Sequence, residues 1–102
     1  MNKNFTQLVR DEFKEYINNP EVVLIDIRRD DERSKYWQIR EDQKVIVFWS
    51  ETLEQELQNL DKNTSYALYC WHWQRSASMR DYMKKIGFKN VVDLEWGIDA
   101  WV

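Results

Sequence analysis

Four short apolar runs recur along the 102 residues: VVLIDI at 22–27, VIVFW at 45–49, YALYC at 66–70 and VVDL at 91–94. Each is rich in β-branched or aromatic side chains and scarcely interrupted by polar ones. That is the pattern of a strand covered on both faces, as in a parallel sheet. The stretches between them have helical spacing. Over residues 6–18, Leu8, Val9, Phe13, Tyr16 and Ile17 form one stripe, Thr6 suits the N-cap, and Asn18-Asn19-Pro20 ends the helix. Residues 30–35 are charged and read as a loop or short helix. Thr52 and Gln55 have the spacing of a capping box ahead of Leu53, Leu57 and Leu60. Residues 76–86 place Ala77, Met79, Met83 and Ile86 near one face, with Gly87 as the C-cap. Strands alternating with helices predict an α/β fold, a mostly parallel central sheet flanked by helices. A chain of this length is expected to form a single domain, residues 1–102.

Composition excludes several function classes. One cysteine forbids an internal disulfide, and one histidine beside it leaves too few ligands for a zinc cluster. Glycine occurs only twice, so a glycine-rich phosphate loop is absent. No cofactor motif is present, and neither cofactor nor metal is expected. A net charge of −3 gives no general attraction to nucleic acid or to an anionic membrane. Apolar runs of five or six residues fall far short of the roughly 20 that span a bilayer. The N-terminal MNKNFTQLVRDEF is too charged for a secretory signal. With a free thiol, this makes a reduced, cytoplasmic setting the expectation.

In open α/β sheets, function gathers beyond the carboxyl ends of the strands. Cys70 stands there, closing the third apolar run. It is followed by Trp71, His72, Trp73 and Gln74, and then by Arg75 and Ser76, which open a helix. A short loop before a helix N-terminus turns several backbone N–H groups inward. The helix dipole adds partial positive charge, and Arg75 adds a full one. Together they suit a thiolate or a terminal sulfur anion on Cys70.

The segment from Cys70 to Ser76 resembles the active-site loop of the rhodanese family, a cysteine, four residues, then Arg-Ser. Gly87-Phe88-Lys89-Asn90-Val91 resembles the approach to that family's last strand. Trp96-Gly97-Ile98-Asp99-Ala100-Trp101 resembles its closing Gly-Gly-x-x-Ala-Trp, with Trp96 at the first glycine. Leu24-Ile25-Asp26-Ile27-Arg28 resembles its early strand and Asp-x-Arg, with Glu32 at the usual spacing. Tyr36-Trp37-Gln38-Ile39 stands nearest to its Gly-His-Ile segment. The resemblance covers roughly residues 5 to 102. It implies a sulfurtransferase. Cys70 would take a sulfane sulfur from a donor such as thiosulfate, hold it as a persulfide cradled by the loop amides, and pass it to cyanide or a thiol. Related phosphatases and arsenate reductases place five residues between cysteine and arginine, making room for a tetrahedral oxyanion. The four here suit a single sulfur atom.

Each of these residues also has a plainer reading. Cys70 could be a small buried hydrophobe. Arg75 would orient anionic donors, hold the loop, or sit solvated in a first helical turn. His72, the only histidine, is a general-base candidate or a solvent-facing or donor-binding loop residue. Trp71 and Trp73 form an aromatic gate or a docking surface for a protein partner, or fold over neighbouring loops. Asp26 and Arg28 read as structural, with Arg28 placed to pair with Glu32. Arg80, Lys84 and Lys85 read as a solvated face, and Trp96 and Trp101 as closing the core. The alternative to an enzyme is a catalytically weak or inactive binding module on the same fold, using the Trp-rich loop. A thiol phosphatase or arsenate reductase stands third.

Overall fold

The sheet is built from five parallel strands, seen in a computed structural model that describes residues 4–35 and 38–101. In chain order these are β1 (Thr6–Leu8), β2 (Val22–Asp26), β3 (Lys44–Val45), β4 (Ser65–Tyr69) and β5 (Asn90–Leu94). The helices are α1 (Arg10–Ile17), α2 (Asp30–Arg33), α3 (Leu53–Gln58) and α4 (Gln74–Lys85), and a 3-10 turn at Gly97–Ala100 follows β5. The sheet order is β1-β5-β4-β2-β3. The fold is α/β as expected, with the sheet parallel throughout.

Strand alternation divides the core into two layers. Tyr66, Leu68 and Cys70 point with Ile25 and Ile27 toward Leu57 of α3 and Met79 and Met83 of α4. Ala67 and Tyr69 point the other way, with Leu24 and Val92, toward Phe13 and Ile17 of α1 and Ile98 of the 3-10 turn. β2, β4 and β5 are covered on both faces, which is why their sequences read as unbroken apolar runs. β4 and β2 run in register from Val22–Ser65 to Asp26–Tyr69, so both strands end at the same edge of the sheet.

Three expectations give way. The helix predicted over 6–18 begins only at Arg10, with Val9 as its N-cap, and Thr6–Leu8 is the edge strand β1. Leu8 is 2% exposed against β5, where Thr6 meets Val92 and Leu8 meets Leu94. Sheet pairing outweighs the helical spacing that Leu8 happens to share with α1. The run at 45–49 supplies only the two-residue β3 at Lys44–Val45. Ile46 and Phe48 still donate to the Asp26 and Ile27 carbonyls at 3.0 and 3.1 Å, but the chain then turns and leaves Trp49 exposed. Thr52 is the N-cap of α3, yet the capping box does not form. Its hydroxyl donates instead to the Glu56 carboxylate at 3.0 Å, and no side-chain cap closes the helix.

α4 starts two residues earlier than expected, so Gln74 and Arg75 lie in its first turn. Gly87, just past its end, adopts φ +105, which side-chain-bearing residues rarely reach. Among the described residues no helix is long and apolar enough to cross a membrane.

Candidate active site

Cys70 follows the last residue of β4 and is 1% exposed, packed in the layer between the sheet and α4. The loop Trp71-His72-Trp73 carries the chain to α4. The site residues expected from sequence are therefore contiguous at the carboxyl edge of the sheet. The Cys70 thiol donates to Ser76 Oγ at 3.5 Å. The Ser76 hydroxyl in turn faces the Trp73 carbonyl at 3.1 Å and Asp93 Oδ2 at 3.4 Å. Ser76 is itself fully buried.

Two anchors hold the loop. Arg75 extends both Nη atoms to the Glu32 carboxylate, at 2.7 and 2.5 Å. Glu32 also accepts from the Arg29 amide at 2.9 Å, which fixes it at the start of α2. The Arg75 guanidinium holds the Glu32 carboxyl below the ordinary carboxylate range, and Glu32 holds the guanidinium proton more firmly in return. Arg75 thus ties the loop to α2, and with both Nη atoms engaged it does not project as a free anion receptor. The expected Arg28–Glu32 pair is not formed. Arg28 is fully buried and grips Asp26 through Nε at 3.0 Å and Nη2 at 2.8 Å, because the side chain turns back toward the end of β2. Tyr69 and Gln43 complete that knot. The Tyr69 hydroxyl lies 3.0 Å from Asp26 Oδ2 and 2.6 Å from Gln43 Oε1, and its ionisation is pushed up by burial and by Asp26. Asp26 and Arg28 are thus paired with each other inside the fold.

The second anchor lies beneath. The Ile98 amide donates to the Cys70 carbonyl at 2.9 Å, and the Asp99 amide to the Trp71 carbonyl at 3.2 Å. Gly97, at φ +65, passes under the loop so closely that a Cβ would sit 2.1 Å from the His72 carbonyl oxygen and 2.5 Å from those of Cys70 and Trp71. Only glycine fits there.

The aromatic residues divide. Trp101 packs edge-on against Phe13 at 6.1 Å and closes the α1 side of the core, as expected. Trp96 does not close the core. It is 59% exposed, in a left-handed backbone at φ 64, and meets Trp73 edge-on at 6.5 Å. β5 must turn sharply there to bring Gly97 beneath the loop, and that turn swings the Trp96 side chain outward. Trp73, Trp96, Gln7 and Glu95 line a cavity of about 110 Å³. Trp71 tilts over His72 at 5.9 Å, and His72 Nδ1 stands 3.8 Å from the exposed Asp99 carboxylate. Tyr36 and Trp37, half of the segment set beside Gly-His-Ile, lie outside the described residues. In the other half, the Ile39 amide donates to the Tyr69 hydroxyl at 3.2 Å.

The sequence reading overlooked Asp93. It is fully buried in β5, where Arg80 donates to Oδ1 at 2.6 Å and Gln7 to Oδ2 at 3.0 Å. Burial raises its carboxyl above the ordinary range, against the pull of those donors. Arg80 accordingly leaves the solvated face assigned to it. The available signal was a charge inside the apolar run VVDL. Among the described residues no group of three His, Cys, Asp or Glu side chains is placed to hold a metal ion.

Comparisons with known proteins bear on the family and the fold. The profile of the Rhodanese-like domain family matches residues 9–102. The thiosulfate sulfurtransferase GlpE of Tolumonas auensis is 29% identical over 52 residues, 51% of this chain and 49% of that protein, so the match spans about half of the relative. The crystal structure of a rhodanese-like domain protein from Staphylococcus aureus is 26% identical, with a TM-score of 0.78 over 95% of this chain and 91% of that one. A rhodanese-related protein from Thermoplasma volcanium shares the fold at 24% identity, with a TM-score of 0.77 over 94% and 89% of the two chains.

Proposed function

This chain belongs to the rhodanese-like family, and on that premise we propose that it moves sulfane sulfur from a donor such as thiosulfate to a thiol or cyanide through a persulfide on Cys70. The observation that carries this reading is the four-residue loop from Cys70 to Arg75, held from above by Glu32 and from below by Gly97 and Ile98. A loop so held keeps its shape while the sulfur it surrounds changes from thiolate to persulfide.

In the first half-reaction the Cys70 thiolate attacks the outer sulfur of thiosulfate. A new S–S bond forms, the donor's S–S bond breaks, and sulfite leaves with the electron pair. In the second, the acceptor's thiolate or cyanide attacks the terminal sulfur. The persulfide bond breaks, and its electron pair returns to Cys70 as thiolate. Sulfur is transferred with no net redox change, by covalent catalysis in two halves. Ser76 donates its hydroxyl to the Cys70 thiolate that opens the first half and is regenerated at the end of the second. Trp71, His72, Trp73 and Gln74 form the wall that donor and acceptor meet, in a single domain in a reduced, cytoplasmic setting.

A binding module is the second reading, favoured by one observation. The exposed Trp96 packs with Trp73 at the loop, a surface suited to a protein partner. Intact mass after incubation with thiosulfate separates the two readings. A gain of one sulfur atom, absent in Cys70→Ser, is the expected result. No gain with thiosulfate or any other sulfane donor would overturn the enzyme reading and leave the module.

A further inference from the structure

We propose that Asp93 is a positioning residue that acts on Cys70 through Ser76, competing with the sulfur for the single Ser76 hydroxyl proton. It deepens the sulfurtransferase reading and rests on Cys70 as the sulfur carrier. Ser76 Oγ is surrounded by the Trp73 carbonyl at 3.1 Å, Asp93 Oδ2 at 3.4 Å and Cys70 Sγ at 3.5 Å. It has one proton to give. While Cys70 is a thiol, the S–H donates to Ser76, and the hydroxyl proton turns away toward Trp73 and Asp93. Once Sγ becomes a thiolate, it needs that proton, and the hydroxyl must swing back. A buried carboxylate on the far side of Ser76 resists the swing, and whatever satisfies that carboxylate eases it.

The donors to Asp93 are arranged for this. Arg80 occupies Oδ1, the oxygen away from Ser76, and is itself shared with Asp81 at 3.2 Å. Gln7, reaching in from β1, occupies Oδ2, the same oxygen that Ser76 faces. Gln7 therefore competes with Ser76 for Oδ2 and weakens its hold on the hydroxyl. The charged groups facing the sulfur from other elements are few. Arg75 lies on α4 with Glu32 opposite it, Arg28 lies beyond in the segment after β2, and the His72–Asp99 pair lies on the solvent side of the loop. None of these bridges Asp93 to the sulfur, so Ser76 is the one contact they share, and the Asp93 charge adds a direct through-space repulsion.

The test is the thiolate absorbance of Cys70 followed against pH, with Cys70→Ser subtracted as background. It requires no turnover, so a failure of sulfur transfer and a failure of this relay are read separately. In Asp93→Asn the thiolate should appear at lower pH, by about one pH unit. In Gln7→Leu, where Oδ2 is freed to hold Ser76 more strongly, it should appear at higher pH. General loosening of the fold would move both variants in the same direction. In a Ser76→Ala background the Asp93→Asn shift should shrink to the direct effect of the lost charge, and the Gln7→Leu shift should vanish, because the carrier of the relay is gone. An unchanged titration in Gln7→Leu, shifts of the same sign in both variants, or an Asp93→Asn shift undiminished without Ser76 would each overturn the proposal. Should Asp93→Asn not fold, the sign in Gln7→Leu and its loss on adding Ser76→Ala decide the matter.

Discussion

Arg75 and Glu32 meet across 43 positions of sequence, and their bidentate contact ties the loop to α2. Glu32→Gln removes the charge and one of the two acceptors, leaving a largely buried guanidinium half-satisfied. The expected cost is about 2 kcal/mol of unfolding free energy, measurable by urea titration. The pH dependence has a definite sign. The folded-state value of Glu32 lies below its ordinary one, so its stabilisation is complete above about pH 4.5 and is lost as pH falls through the folded value. Acid unfolding should therefore be shallower in Glu32→Gln than in the parent. Gly97→Ala is a sharper test of the second anchor. Its methyl group would meet three carbonyl oxygens, at a backbone angle that already penalises alanine. A loss of about 3 kcal/mol is expected, together with loss of any sulfur loading, since the loop must rise to make room.

At the scale of elements, β2, β4 and β5 were legible because burial on both faces leaves an apolar run that no amphipathic helix shows. The loop was legible because its residues are consecutive: Cys70, Arg75 and Ser76 announce their own spacing. β1 was hidden by coincidence. Three residues are too few to show alternation, and Leu8 stands eight residues, about two helical turns, before Tyr16 of α1. β3 was read too long because Ile46 and Phe48 keep hydrogen bonds to β2 while the chain is already turning. The partners of Arg75 and Asp93 were out of reach for a different reason. Which carboxylate meets which guanidinium depends on where α2 and α4 come to rest over the sheet, and no local pattern encodes that. The strand assignment of β1 has its own test. Leu8→Ala should cost about 2–4 kcal/mol, as for a buried core residue, whereas the neighbouring and exposed Val9→Ala should cost well under 1.

Across the whole molecule, the sheet order sets β1 against β5, so one edge of the sheet is built from opposite ends of the described chain. Gln7 and Asp93, 86 positions apart, are joined by a hydrogen bond across that seam. Ordering so long a loop is slow relative to local helix formation, and the seam should close late. Leu8→Ala is accordingly expected to speed unfolding while leaving the refolding rate nearly unchanged, a split that stopped-flow tryptophan fluorescence resolves. During synthesis the same seam imposes an order of events. β1 emerges from the ribosome long before its partner exists, and α1 has only half a floor to rest on. A nascent chain paused before residue 90 would expose β4 as a bare edge, open to whatever strand drifts past. β5 is thus the strand that closes the fold, joining β4 to the β1 that was made long before it.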